Sequence, residues 1–121
     1  MSGTDFLLDS NVLIGLLNGH APALELLEQH RATPARCAYS CITRMEVLSW
    51  TGITPQQEDA VIGLLADMEH LPITEAVENA TIRLRRTRKI KLPDAIIAAT
   101  ALTSGLKLLT LDSDLARVVL G

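Results

Sequence analysis

The sequence is poor in aromatic residues: one Phe, one Tyr and one Trp make up 2% of the chain. Its core must therefore be aliphatic. Phe6, Tyr39 and Trp50 are also the only rings on which a nucleobase could stack, so base specificity cannot be read from them. Cysteine is equally scarce. Cys37 and Cys41 lie too close together for a secreted disulfide framework and lack the second Cys or His pair of a zinc site. Two small buried thiols in a reducing cytoplasm are expected instead. No apolar run approaches the ~20 residues that cross a bilayer, and residues 1–8 lack the basic start and cleavage site of a signal peptide. The formal net charge of −3 excludes a globally basic nucleic-acid binder, though not a local basic face. Without repeats, low-complexity stretches or linkers, residues 1–121 read as a single domain, soluble and cytoplasmic, with no membrane partner.

What the chain does have is short apolar runs alternating with helical patterns. Strands are expected at 5–8, 36–42, 70–73 and 107–111. Helices are expected at 10–18, closed by Gly19, and at 22–31, 43–51, 75–90 and 93–104, the last ended by Gly105. A further helix starts behind Thr54 and Pro55, with Val61, Leu64, Leu65 and Met68 on one face. Near-continuous apolar strands separated by helices predict an α/β fold with a parallel sheet of four to five strands, flanked by helices on both faces.

In such a sheet the carboxyl ends of the strands share one edge, where ligands bind. Asp9 follows the first strand, in "FLLDSNVLIG", and Asp112 follows the last. Glu46 lies one turn after the second strand, and Asp94 opens the apolar helix just after Pro93. Each acid has a bland explanation taken singly. Asp9 could end a strand, and Asp94 could favour a helix N-terminus. Asp112 could sit in a loop or cap a helix. For Glu46 the sequence Thr43-Arg44-Met45-Glu46 fits a capping box, the strongest of these alternatives. Together the four carboxylates would repel one another, which a hard divalent cation such as Mg²⁺ or Mn²⁺ would relieve. A metal-assisted phosphoester site is the joint reading.

The order "LLDSNVLIG", "ITRMEVLSW" and "LPDAIIAATALTSGLKLLTLDSDL" resembles the PIN-domain nucleases, and more narrowly the VapC-type toxins of toxin–antitoxin pairs. The resemblance runs from Asp9 to about Leu115. It implies a PIN-like three-layer fold, Mg²⁺ or Mn²⁺ dependence, endonucleolytic cleavage of RNA, inhibition by a small cognate antitoxin and, commonly, a homodimer. It places the metal-binding and catalytic acids at Asp9, Glu46, Asp94 and Asp112, with Asp114 as the alternative to Asp112. Ser10 and Thr110 match small hydroxylated residues of the pattern, and Asn11 begins the helix beside Asp9. Two departures stand out. Leu115 occupies the place of a common Phe, and the chain leaves little room for the usual last strand.

Arg83, Arg85, Arg86, Arg88, Lys89 and Lys91 put six of the chain's eleven Lys and Arg residues just before Asp94. They form either an RNA-binding patch or a solvated helix face paired with Glu75 and Glu78. His20, His30 and His70 have no metal-pair or triad spacing and are expected at the surface. A receiver-like phosphoacceptor domain is disfavoured because Asp9 has no adjacent acid and no Lys follows Thr110. "LLTLDSDLA" has the D-x-D of a haloacid-dehalogenase-type phosphatase, but that motif must open its domain and here it stands near the end. The remaining rival is a PIN-fold module that binds RNA or a protein without cleaving.

Overall fold

The computed structural model describes residues 3–120. Four strands, β1 (Phe6–Leu8), β2 (Cys37–Ser40), β3 (Glu69–Leu71) and β4 (Lys107–Leu109), form one sheet in the order β3-β2-β1-β4. All three pairings are parallel, with Phe6 opposite Cys37 and Lys107, and Ala38 opposite Glu69. Among the described residues, seven α-helices and a short 3₁₀ helix at Pro34–Arg36 accompany the sheet: α1 (Ser10–Leu17), α2 (Ala21–Gln29), α3 (Cys41–Leu48), α4 (Pro55–Ala66), α5 (Glu75–Thr87), α6 (Leu92–Ser104) and α7 (Ser113–Leu120).

Strand geometry turns successive side chains to opposite faces, so apolar strands require cover on both sides. Phe6, Leu8, Cys37, Tyr39 and Leu109 pack on one side with Leu13, Val47, Val61, Leu65 and Met68. Leu7, Ala38 and Leu108 face the other, against Ile97, Ala98 and Ala101 of α6 and Leu115 of α7. Helix α5 lies outside α6, with Val77 and Ala80 on Ala99. This is the three-layer arrangement expected, with four strands. The predicted stripe is also present: Val61 and Leu65 of α4 and Met68 just beyond its end are buried, with Leu64 packed beside them.

Local signals set several element ends. Thr54 and Gln57 form a reciprocal capping box at the start of α4. Gly105 ends α6 in the left-handed region, at φ 68°, which glycine adopts without a Cβ penalty. Close packing explains Gly15: a Cβ there would stand 2.6 Å from the Cβ of Ala23, so α1 and α2 approach through this position.

Four expectations are corrected. Helix α3 begins at Cys41 and not at 43, because Ser40, in extended conformation at the end of β2, caps it by accepting the Thr43 N–H. The Thr43–Glu46 capping box therefore does not form. Helix α5 stops at Thr87, whose hydroxyl donates to the carbonyls of Arg83 and Leu84, and Arg88 is extended. Arg88, Lys89 and Lys91 thus belong to a loop. After Asp112 the chain forms α7, where no helix had been placed. Finally, His30 is half-buried, its ring edge-on to Phe6 and its Nδ1 bonded to the Leu26 carbonyl, whereas His20 and His70 are exposed. Of the two free thiols, Cys37 is buried and Cys41 only partly so.

Candidate active site

Asp9 sits at the tip of β1, where its peptide N–H donates to the Leu109 carbonyl of the neighbouring strand. It also caps α1: Oδ1 accepts the Ser10 N–H at 2.7 Å, and Oδ2 accepts the Thr110 hydroxyl at 2.7 Å. The residue is 5% exposed, and among the described residues it has no cationic partner. Burial of a carboxylate without a positive partner is costly. That burial pushes the Asp9 carboxyl above its ordinary value; the Thr110 and Ser10 hydrogen bonds oppose the rise, and the negative charges of Asp94 and Glu46 add to it.

Glu46 projects from α3 toward the same edge. Its Oε1 accepts the Ser10 hydroxyl at 2.6 Å, a bond that spans thirty-six residues of sequence. Thr43, buried, donates to the Leu8 carbonyl at 3.5 Å and so ties α3 to the end of β1. Asp94, in the first turn of α6, is also raised above its ordinary value. Burial is the largest cause, followed by the charges of Glu46 and Asp112, while Lys91 pulls it down.

Asp112 lies beyond Thr110 and Leu111 and caps α7, with Oδ1 accepting the N–H groups of Asp114 and Leu115 at 3.0 and 3.2 Å. Asp114 is turned to Arg117 at 3.3 Å. Asp94, Asp112 and Asp114 line one cleft of about 430 Å³ together with Arg88, Lys89 and Lys91. The expected convergence is looser than four carboxylates within a few ångströms. Asp9, Glu46 and Asp94 share one electrostatic field, and Asp112 joins it through Asp94. Among the described residues, no three His, Cys, Asp or Glu side chains form a ready-made metal cage.

Asn11 completes the arrangement. Its amide donates to the Thr110 hydroxyl at 3.2 Å and its Oδ1 accepts the Leu111 N–H at 3.1 Å, clamping α1 to the segment after β4. Ser40 and Thr43 act as supports of the site, a role their sequence positions did not suggest. A small hydroxylated residue at a strand end, one turn before Thr43, was the available signal.

The chain matches the PIN-domain family over residues 6–120. It belongs to that family. Among solved structures it is similar to a toxin–antitoxin complex from Klebsiella pneumoniae, at 34% identity and a TM-score of 0.78, covering 90% of this chain and 88% of that one. VapBC2 from Rickettsia felis, bound to a DNA fragment from its promoter, shares the fold at 19% identity and a TM-score of 0.75, covering 95% and 93% of the two chains. FitAcB from Neisseria gonorrhoeae does so at 21% identity and a TM-score of 0.75, covering 94% and 92%. The VapC-type resemblance read from the sequence is thus borne out. No curated protein matches the chain. Among the described residues no helix is long and apolar enough to cross a membrane.

Proposed function

We propose that this chain is a divalent-metal-dependent endoribonuclease, acting as the toxin of a toxin–antitoxin pair in the cytoplasm. The observation that carries the reading is Asp9: a buried carboxylate without a cationic partner, held in the repulsive field of Glu46 and Asp94. Carboxyls perturbed by burial and by like charges at a strand edge are functional-site candidates. Membership of the PIN family and the 34% identity to a toxin–antitoxin complex support it, including an antitoxin partner; a homodimer is proposed with it.

The donor set fits Mg²⁺ or Mn²⁺, since every candidate ligand is a hard oxygen and the carboxylates repel one another. Asp9, Glu46, Asp94 and Asp112 would hold the ion, and the open arrangement leaves room for its waters. A bound divalent cation supplies Lewis acidity and a more acidic water for phosphodiester hydrolysis. The protein's own part is positioning. Thr110 and the Ser10 N–H fix both oxygens of Asp9, and the Ser10 hydroxyl fixes Oε1 of Glu46. Asp112 is favoured over Asp114 as the fourth acid, because Asp112 acts on Asp94 while Asp114 is engaged with Arg117.

The test is cleavage of varied RNAs by the purified chain with Mg²⁺ or Mn²⁺, abolished by EDTA. Folded protein that stays inactive with both metals would instead support the non-cleaving module.

A further inference from the structure

Next to the acid cleft lies a second, larger hollow of about 800 Å³, lined by Arg85, Arg86, Arg88 and Lys89 with Ile82 and Leu92. The two hollows share the loop residues Arg88, Lys89, Ile90 and Lys91 as a common wall, with Asp94 and Asp112 on the far side. The described residues contain two ion pairs, Arg36–Asp5 and Arg117–Asp114, and neither involves any of these cations. Pairing with Glu75 or Glu78 is therefore absent. Arg85 instead donates from Nε to the Ile90 carbonyl at 3.4 Å, folding the loop back on the end of α5. Helix α6 begins at this wall without a side-chain cap, so its positive end adds to the field.

Like charges left without counter-charges around a concave surface attract a polyanion. Resting on the ribonuclease reading, we propose that this hollow is a second RNA subsite, holding the strand's phosphates beside the bond cleaved at the acid cleft. Asp94 and Asp112 across the loop repel an acidic peptide and a bare phosphate alike; the phosphodiester strand is favoured because it also carries the bond on which the cation proposed for the acid cleft would act. Ile82 and Leu92, about half exposed at 46% and 48%, offer apolar contact to sugars and base edges. No aromatic ring lines the hollow, so the subsite reads charge and not base. Arg83 is excluded from it, because that side chain lines a separate hollow with Leu102 and Thr103.

The experiment measures Mg²⁺-dependent cleavage of a dinucleotide and of a longer single-stranded RNA, across a salt series, by the full chain and its Arg85→Ala/Arg86→Ala variant. Both arginines are exposed, so the variant should stay folded, its melt lowered at most by loss of the Arg85–Ile90 bond. On the long RNA, kcat/KM should fall about tenfold at low salt, and the log–log salt slope should flatten by about 0.7 for each phosphate that is no longer neutralised. The dinucleotide should be cut as before, and Arg83→Ala should behave as wild type. Equal losses on both substrates, or none on the long one, would overturn the subsite while leaving the ribonuclease reading intact. If wild type cleaves neither substrate, the ribonuclease reading falls. Anisotropy with the same RNA and with an acidic peptide then decides. Loss of RNA binding in the double variant supports the subsite, and loss of peptide binding alone overturns it.

Discussion

The Thr110 hydroxyl donates to Asp9 Oδ2 and accepts both the Asn11 amide and the Asp112 N–H, at 2.7, 3.2 and 3.0 Å. A hydroxyl has one proton and two lone pairs, so all its capacity is used and its direction is set. With the Asn11 and Asp112 donors occupying its lone pairs, the proton must point at Asp9. Thr110→Val removes this node and leaves two donors without their acceptor. It should lower stability by about 1–3 kcal/mol and reduce cleavage sharply, while Thr110→Ser should restore most of both. Chemical denaturation and single-turnover kinetics read the two effects. Equal stability in the Val and Ser variants would show that the node carries no weight.

Asp94 tests repulsion against capping. Lys91, the residue before α6, offers that helix no side-chain cap, so Asp94 in the first turn has the favourable dipole term of a helix start. Burial and the charges of Glu46 and Asp112 nevertheless hold its carboxyl above the ordinary value, so the unfavourable terms win. Asp94→Asn should melt at the same or a higher temperature than wild type in chelator, and should lose cleavage. A variant that melts well below wild type in chelator would assign Asp94 to the helix start alone.

The same shift fixes a pH dependence. A carboxyl whose folded value lies above its unfolded value of 3.8 binds its proton more readily when folded. The resulting stabilisation is fully present below pH 3.8 and is lost as the pH rises through the raised folded value. In chelator, the stability advantage of Asp94→Asn over wild type should therefore be largest at neutral pH and shrink on acidification. Thermal melts of the pair across that range check the sign. An advantage that grows toward low pH would contradict it.

Much of this fold was legible because its signals are local and repeated. The apolar runs at β1 and β4, the Thr54 box and Gly105 each state their structure within a few residues. Asp9 at a strand tip followed from the run before it, whereas Asp94 opens a helix and a parallel sheet alone did not fix its place. The misplaced start of α3 has a different cause. Ser40 and Thr43 stand one turn apart and both can cap, and only the end of β2 decides between them. Helix α5 ends among mostly helix-forming residues. Thr87 back-bonds to Arg83 and Leu84, as Thr81 does to Val77 in mid-helix, and Arg88 beyond it is extended, so the stop cannot be read from local propensity. Helix α7 was hidden because its cap, Asp112, was also a site candidate.

Glu46 was the acid with the strongest bland explanation, and the capping geometry removes it. The box would need Glu46 in the first turn, but it is the sixth residue of α3 and is exposed. Ser40→Ala should therefore cost about 0.5–2 kcal/mol, the usual loss of a cap. Glu46→Gln should leave stability close to wild type while depressing cleavage, since an amide ligates a hard cation poorly. Urea denaturation and metal-dependent cleavage, measured on both variants, separate cap from site. Full cleavage by Glu46→Gln would remove Glu46 from the site.

A direct reading of the metal comes from stability without catalysis. A ligand that binds only the folded chain stabilises it by about 2.7 kcal/mol at a hundredfold excess over its Kd. Mg²⁺ or Mn²⁺ should also relieve the repulsion among Asp9, Glu46 and Asp94, so wild type should gain melting temperature on titration with either. Asp94→Asn, starting equal or higher in chelator, should gain little, and the order of the two melting temperatures should converge or reverse as metal is added. Exposed Asp114, turned to Arg117, supplies the control: Asp114→Asn should keep the full metal response. If Asp114→Asn loses that response and Asp112→Asn retains it, the fourth ligand passes from Asp112 to Asp114.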